Sequence, residues 1–237
     1  MSVIWHDLEC GRYQEDLGFW RELAAKYRGP VLDIGAGTGR VTLELARAGH
    51  SVTALDSNEE LLAELTRRAA GLSVTTVLAD ARAFALHQHF ALCIVPMQTV
   101  QLLGGRAGRL SFLACARQHL VPAGRLAIAV ADELDEFEVS GGAGAPLPDV
   151  CESDGVLYSS SPTAVRADGE GFLLERRREV VSARGELTAE SDRIHLDALD
   201  PQQLETEGIV SGLQPRSAEE IPPTSEYVGS VVVMLDA

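Results

Sequence analysis

Basic residues are scarce in this chain. Twenty Lys and Arg stand against 35 Asp and Glu, a formal net charge of −15, and such a surface repels phosphate backbones and anionic membranes. No nucleic-acid and no membrane partner is expected, with a local basic patch as the one way around the average. Cysteine is thin too: Cys10, Cys93, Cys115 and Cys151 form no C-x-x-C pair and no zinc spacing. Cys93 and Cys115 lie in apolar segments and read as small buried hydrophobes. No uninterrupted apolar run approaches the ~18 residues that span a bilayer. The opening Met1-Ser-Val-Ile-Trp-His-Asp7 has no basic stretch running into an apolar core, so a secretory leader is not expected. A cytoplasmic setting is expected. The six histidines sit in no diagnostic motif, and a Walker loop, a nucleophilic serine setting and a metal-ligand cluster are all missing. What is present is ordinary for a globular chain, 46% hydrophobic and 23% charged over 237 residues. That length suits one α/β domain with an embellishment, taken here as 1–237.

The informative stretch is Val31-Leu-Asp-Ile-Gly-Ala-Gly-Thr-Gly-Arg40. Val31 to Ile34 is long enough for a buried strand, with Asp33 inside it. Gly35, Gly37 and Gly39 alternate, and a helical pattern follows at once through Val41, Leu43, Leu45 and Ala46. A strand, a glycine turn and a helix start in that order set backbone N–H groups beside a ligand over the strand's carboxyl end. Glycine suits the turn because a Cβ would block close approach and because tight turns often need positive φ. The dinucleotide fingerprint G-x-G-x-x-G would require glycine at position 40, where Arg40 stands. The pattern present is D-x-G-x-G-x-G. Asp56 closes a second strand-like run, Val52 to Leu55, about twenty residues past the first glycine, where a ribose-binding acid belongs in doubly wound folds. Its competing role is as a helix N-cap, which Ser57 or Asn58 can supply instead.

Leu32-Asp33-Ile34-Gly35-Ala36-Gly37-Thr38-Gly39 resembles the first motif of the class I S-adenosylmethionine-dependent methyltransferases, of the small-molecule type. The resemblance implies an α/β, Rossmann-like doubly wound sheet of seven strands, the last antiparallel, and S-adenosyl-L-methionine as cofactor. It implies a cofactor site made of Asp33, Gly35, Ala36, Gly37 and Gly39, then Asp56 and Ser57 at the ribose, with Leu61 packing on adenine. Asp80, after the strand-like Val74 to Leu78, falls where the family has an acid that meets the adenine amine, and Ala81 where a backbone amide meets the ring. Phe90 to Val95 runs into Pro96-Met97-Gln98-Thr99. There the family often has a short polar loop with Asn-Thr against the methionine part and the substrate, so Met97 and Gln98 join the set. Gln98-Thr99 replaces the usual pair.

The rest of the chain fills out this plan. Leu17, Trp20, Leu23 and Ala24 form an amphipathic face in a helix from about Gln14, and residues 1–29 are expected to cover the cleft, with Tyr13 able to line it. Helices are expected over Asn58–Ala70 and Arg106–Leu120, and a fifth strand over Val121–Ala131, an alternation that signals a parallel sheet. The Gly/Ala/Pro-rich Val139 to Pro148 is expected as a loop or lid. Residues 137–196 are read as an inserted loop and small antiparallel β layer, placed before the final helix and strands and comparable to one carried by some small-molecule and sugar N-methyltransferases. Phe172–Val181 and Glu186–Leu196 are its expected partners. The charge run Glu175 to Glu179 is expected to be a solvated face or edge protection. Asp200 and Pro201 start a helix, and strands are expected at Ile209–Leu213 and Tyr227–Leu235.

Three functional classes follow. The first is transfer of a methyl group to nitrogen or oxygen of a small-molecule acceptor. The second is a non-catalytic relative that binds adenosylmethionine or a protein. The third is an NAD-dependent oxidoreductase, against which the glycine spacing and the lack of Tyr-x-x-x-Lys both argue. His6 and His195 are the candidate bases.

Overall fold

Seven strands drawn from both ends of the chain make the sheet that carries the site. The computed structural model describes residues 3–131, 134–139, 146–224 and 227–237. Its elements begin with α1 (Val3–Glu9) and α2 (Leu17–Lys26), then β1 (Val31–Ile34), α3 (Arg40–Arg47), β2 (Val52–Asp56), α4 (Glu59–Arg68) and β3 (Val74–Leu78). They continue with β4 (Phe90–Val95), a 3-10 turn (Thr99–Leu102), α5 (Gly105–Gln118) and β5 (Leu120–Val130). Next come β6 (Phe137–Glu138), β7 (Asp149–Ser153), β8 (Val156–Asp168), β9 (Gly171–Val181) and β10 (Leu187–Asp197). The chain closes with α6 (Pro201–Val210), β11 (Gln214–Ile221) and β12 (Ser230–Asp236).

The large sheet has the order β11-β12-β5-β4-β1-β2-β3. β12 runs antiparallel to both neighbours, while the pairs from β5 to β3 are parallel. This is the doubly wound fold class expected from the sequence. Strand alternation sorts β1 between two cores. Leu32 and Ile34 pack with Phe112 and Leu113 of α5 and with Leu204 of α6, whereas Val31 packs with Trp20, Val41 and Leu45 on the other face. Asp33 shares Val31's face and so meets α3.

Local chemistry sets several of these boundaries. The Asn58 side chain caps α4 by accepting from Leu61 N at 3.1 Å, with Glu59 and Glu60 in the first turn and Arg67 and Arg68 in the last. Asp200 caps α6 by accepting from Gln202 N at 2.6 Å. The strand expected at Ile209–Leu213 is not formed. The helix begun at Asp200 propagates through Val210 and stops only at Gly212, at φ 83°, where Gly212 N and Leu213 N donate back to the carbonyls of Ile209 and Gly208. The strand starts one residue later than that segment ends, at Gln214. The helix expected from Gln14 starts at Leu17, and the last strand at Ser230 rather than Tyr227.

The second sheet has the order β10-β9-β8-β6, with β7 also paired to β8. β9 and β10 pair from Gly171↔Asp197 to Val181↔Leu187. Of the two roles expected for the charge run Glu175–Glu179, edge protection is not met, because β9 is flanked on both sides, while one face of the run is solvated and the other is not. Arg176 and Arg178 share its inward face, with side chains 20% and 7% exposed, and Arg177 points outward to Glu179. The expected loop or lid at 139–148 lies largely outside the described residues, at 140–145.

Candidate active-site cleft

A cleft of about 510 Å³ opens beyond the carboxyl ends of β1 to β4, roofed by α1 and by the inward face of β9 and β10. Its floor carries a buried acid. Asp33 is 1% exposed, and Thr42 Oγ1 donates to its Oδ2 at 2.6 Å. Its Oδ1 is buried with no hydrogen-bond partner. Burial pushes this carboxyl up to about 6; the Thr42 hydroxyl and the Arg40 charge oppose the rise, and Asp56 and Asp16 add to it. A carboxylate oxygen left without a partner is costly unless a ligand supplies a cation or a donor.

The amides of the glycine turn have acceptors within the protein. Gly35 N and Ala36 N both donate to Leu55 O, at 2.8 and 3.1 Å, Gly37 N donates to Asp56 Oδ2 at 2.8 Å, and Gly39 N donates to Ala36 O at 2.9 Å. The first three fasten the turn to the end of β2, and the last closes the turn on itself. Glycine is needed for close approach by the protein itself. A Cβ on Gly35, at φ 74°, would lie 2.4 Å from Thr99 Cγ2, and one on Gly37, at φ 55°, would lie 2.3 Å from His6 Nε2. The acid at the end of β2 is held in turn, since Asp56 Oδ1 accepts from Asn58 N at 2.9 Å. Each of its oxygens therefore keeps one further acceptor position.

Asp33, Gly35, Ala36, Asp56, Ser57, Leu61, Asp80, Ala81, Met97 and Gln98 all border the cleft. Leu61, 5% exposed, contributes an apolar wall. Asp80 is turned onto Arg82, whose Nη2 lies 2.6 Å from Oδ2, and this pairing holds its carboxyl below the ordinary value. Met97 has φ 55°, an uncommon conformation outside glycine. Behind it Gln101, 1% exposed, anchors the 3-10 turn. Its Oε1 accepts from Ala131 N, and its Nε2 donates to the carbonyls of Ala131 and Asp197, at 3.0–3.1 Å.

Tyr13 falls outside the lining. Its ring packs on Tyr227 at 4.9 Å between centroids and beneath the Arg40 guanidinium, because the chain turns away after α1 to bring Arg40 onto Tyr13 O and Asp16. His195 is also outside. Ile194 and Leu196 face the cleft, and strand alternation sends the residue between them to the other side, where its Nε2 lies 3.3 Å from Asp168 O. His6 does line the cleft, on the short helix α1 that hydropathy left unmarked.

Sequence reasoning expected a covering layer but missed the polar network that ties it to α1. Glu9 accepts from Arg178 Nε and Nη2 at 2.8 and 2.7 Å and from Ser160 Oγ at 2.7 Å. Arg176 reaches from β9 into the cleft wall, donating to Ser160 Oγ and Asp149 Oδ2. The available signal was the alternation inside Glu-Arg-Arg-Arg-Glu, which puts two arginines on one face of a strand. Burial pushes the Cys10 thiol up to about 11, so this cleft-lining cysteine is protonated at neutral pH. Among the described residues no group of three or more His, Cys, Asp or Glu side chains could hold a metal ion, and no helix is long and apolar enough to cross a membrane.

Residues 31–124 match the family described as a methyltransferase domain, and this match together with the relatives below supports a class I S-adenosylmethionine-dependent methyltransferase. One curated relative, a probable cobalt-precorrin-6B C(15)-methyltransferase of Methanothermobacter thermautotrophicus, is 35% identical over 103 residues. That match covers 41% of this chain and 50% of the relative, so the chain spans about half the length of the curated relative it matches. Among solved structures, the sugar N-methyltransferase KedS8 of a Streptoalloteichus species has the same fold with a TM-score of 0.75. It is 16% identical, and the match covers 98% of this chain and 91% of that one. The amino pentose methyltransferase CalS10 of Micromonospora echinaspora, solved with S-adenosylmethionine bound, gives a TM-score of 0.71 at 20% identity over 98% and 97% of the two chains.

Proposed function

We propose that this protein transfers the methyl group of S-adenosyl-L-methionine to a nitrogen or oxygen of a small-molecule acceptor. The observation that carries the reading is the unpartnered Oδ1 of Asp33, buried in the floor of a cleft beyond the parallel strands. It suits a ligand that brings an ammonium group. Asp56 has acceptor capacity left for ribose hydroxyls, and Leu61 offers an apolar surface for adenine. S-adenosylmethionine supplies a methyl on a sulfonium, open to in-line displacement.

The residues of the chain bind, orient and exclude water. Asp33 and Asp56 hold the two ends of the cofactor, and the turn around Met97 and Gln98, braced by Gln101, forms the wall on the acceptor side. The roof supplied by α1, Leu174, Arg176, Ile194 and Leu196 keeps bulk water from the reacting atoms. Orientation of this kind can contribute roughly 7–11 kcal/mol in favourable intramolecular systems. An amine acceptor needs only to arrive neutral, whereas a hydroxyl needs a base near the transition state. The two sugar-directed relatives in fold favour an amine on a sugar-like acceptor. Incubation with methyl-labelled S-adenosylmethionine and a panel of amino sugars, other amines and phenols tests the proposal. Label should pass to an amine and be lost in Asp56→Ala. Tight cofactor binding with no transfer to any member would instead identify a non-catalytic binder.

A further inference from the structure

His6 is held in one tautomer by its neighbours. Thr38 Oγ1 has a single proton and donates it to Asp7 Oδ1 at 2.7 Å, where Arg68 also donates at 3.0 Å. The contact of 3.2 Å between Thr38 Oγ1 and His6 Nδ1 must then run the other way, with Nδ1–H as the donor. Nε2 is left with a bare lone pair. Burial lowers the imidazole below its ordinary value, Asp7 and Asp56 partly offset this, and Arg68 and Arg40 add to it, so the ring is neutral at pH 7.

The edge bearing Nε2 lies over the Cα of Gly37, the residue whose N–H is taken by Asp56 Oδ2. Imidazole and carboxylate thus meet at one glycine, and both border the same cleft. Each oxygen of Asp56 already accepts one backbone N–H and keeps one further acceptor position, and an imidazole acceptor beside them lets two adjacent hydroxyls be held from two directions.

We propose that His6 Nε2 is a ligand-binding acceptor for a ribonucleoside cis-diol, taking one hydroxyl while Asp56 takes the other. This rests on the methyltransferase reading above and gives His6 a role at the sugar of the cofactor, not at the acceptor as a base. Asp7 and Thr38 are its positioning residues, and α1 becomes the element that closes over the nucleoside.

The test is calorimetric. S-adenosylhomocysteine and its 2′-deoxy and 3′-deoxy analogues are titrated into the wild type and into His6→Phe, which keeps a ring over Gly37 but has no acceptor. His6→Phe should bind S-adenosylhomocysteine about three- to tenfold more weakly, the loss of one net hydrogen bond. One of the two deoxy analogues should bind both proteins equally. Unchanged affinity for S-adenosylhomocysteine, or equal losses for all three ligands, would overturn the proposal and leave His6 a packing residue. A wild type that binds none of them would overturn the underlying function instead. Should His6→Phe fail to fold, the 15N shift of His6 Nε2 in the wild type decides. It should move toward the hydrogen-bonded position on adding S-adenosylhomocysteine, and an unmoved resonance refutes the assignment.

Discussion

Asp33 is the residue on which pH should act most visibly. Its carboxyl sits at about 6 in the folded chain because burial opposes the charge. An acid raised on folding contributes stability below its unfolded value, near 4, and loses that contribution as pH rises through about 6. A bound ammonium group reverses the preference, so cofactor affinity should strengthen between pH 5 and pH 7, with proton release on binding. Calorimetry in buffers of different ionisation enthalpy measures this, and Asp33→Asn should flatten the pH profile; an unchanged profile in that variant would remove Asp33 from the site. Asp56 makes the second prediction at this scale. Asp56→Ala should weaken S-adenosylhomocysteine binding by about 1–3 kcal/mol, the cost of unpairing hydrogen-bonding groups. Part of that cost falls on Gly37 and Asn58, whose N–H groups lose their acceptor.

At the scale of elements, α1 links the two sheets. Its Asp7 is tied to Arg68 of α4 and to Thr38 of the glycine turn, and its Glu9 to Arg178 and Ser160 of the roof. Glu9→Ala would leave the Arg178 guanidinium, 6% exposed, paired only to Asp192 on one side. Breaking a buried ion pair in this way should cost roughly 3 kcal/mol, which a thermal melt should show as a fall of about 6–12 °C. A shift within 1–2 °C would mean that the roof is held by its strands and not by α1. The strand–turn–helix around Gly35 was legible because three signals coincide there: an apolar run, alternating glycines and a helical face. The polar network that ties the roof to α1 was not, since Glu9, Ser160, Arg176 and Arg178 are brought together across 169 positions of chain by pairing alone. A polar residue on a strand does not reveal in sequence which face will be covered.

Across the whole molecule, the parallel pairing of β1 to β5 was legible in the alternating strand and helix patterns, and the antiparallel last strand followed from the family resemblance. What hydropathy could not separate was a helix end from a strand start at Ile209–Leu213, where apolar content fits either and only Gly212 marks the boundary. Global stability offers a further check. Ligand present at a hundredfold over its Kd adds about 2.7 kcal/mol to the folded state, so S-adenosylhomocysteine should raise the melting temperature by about 5–10 °C and NAD should not.

The most direct measurement is titration of the wild-type protein with S-adenosylhomocysteine and, separately, with NAD. A saturable heat with one site per chain for the first and none for the second is the predicted result. No heat with S-adenosylhomocysteine, or saturable binding of NAD in its place, would contradict the assignment of the cleft.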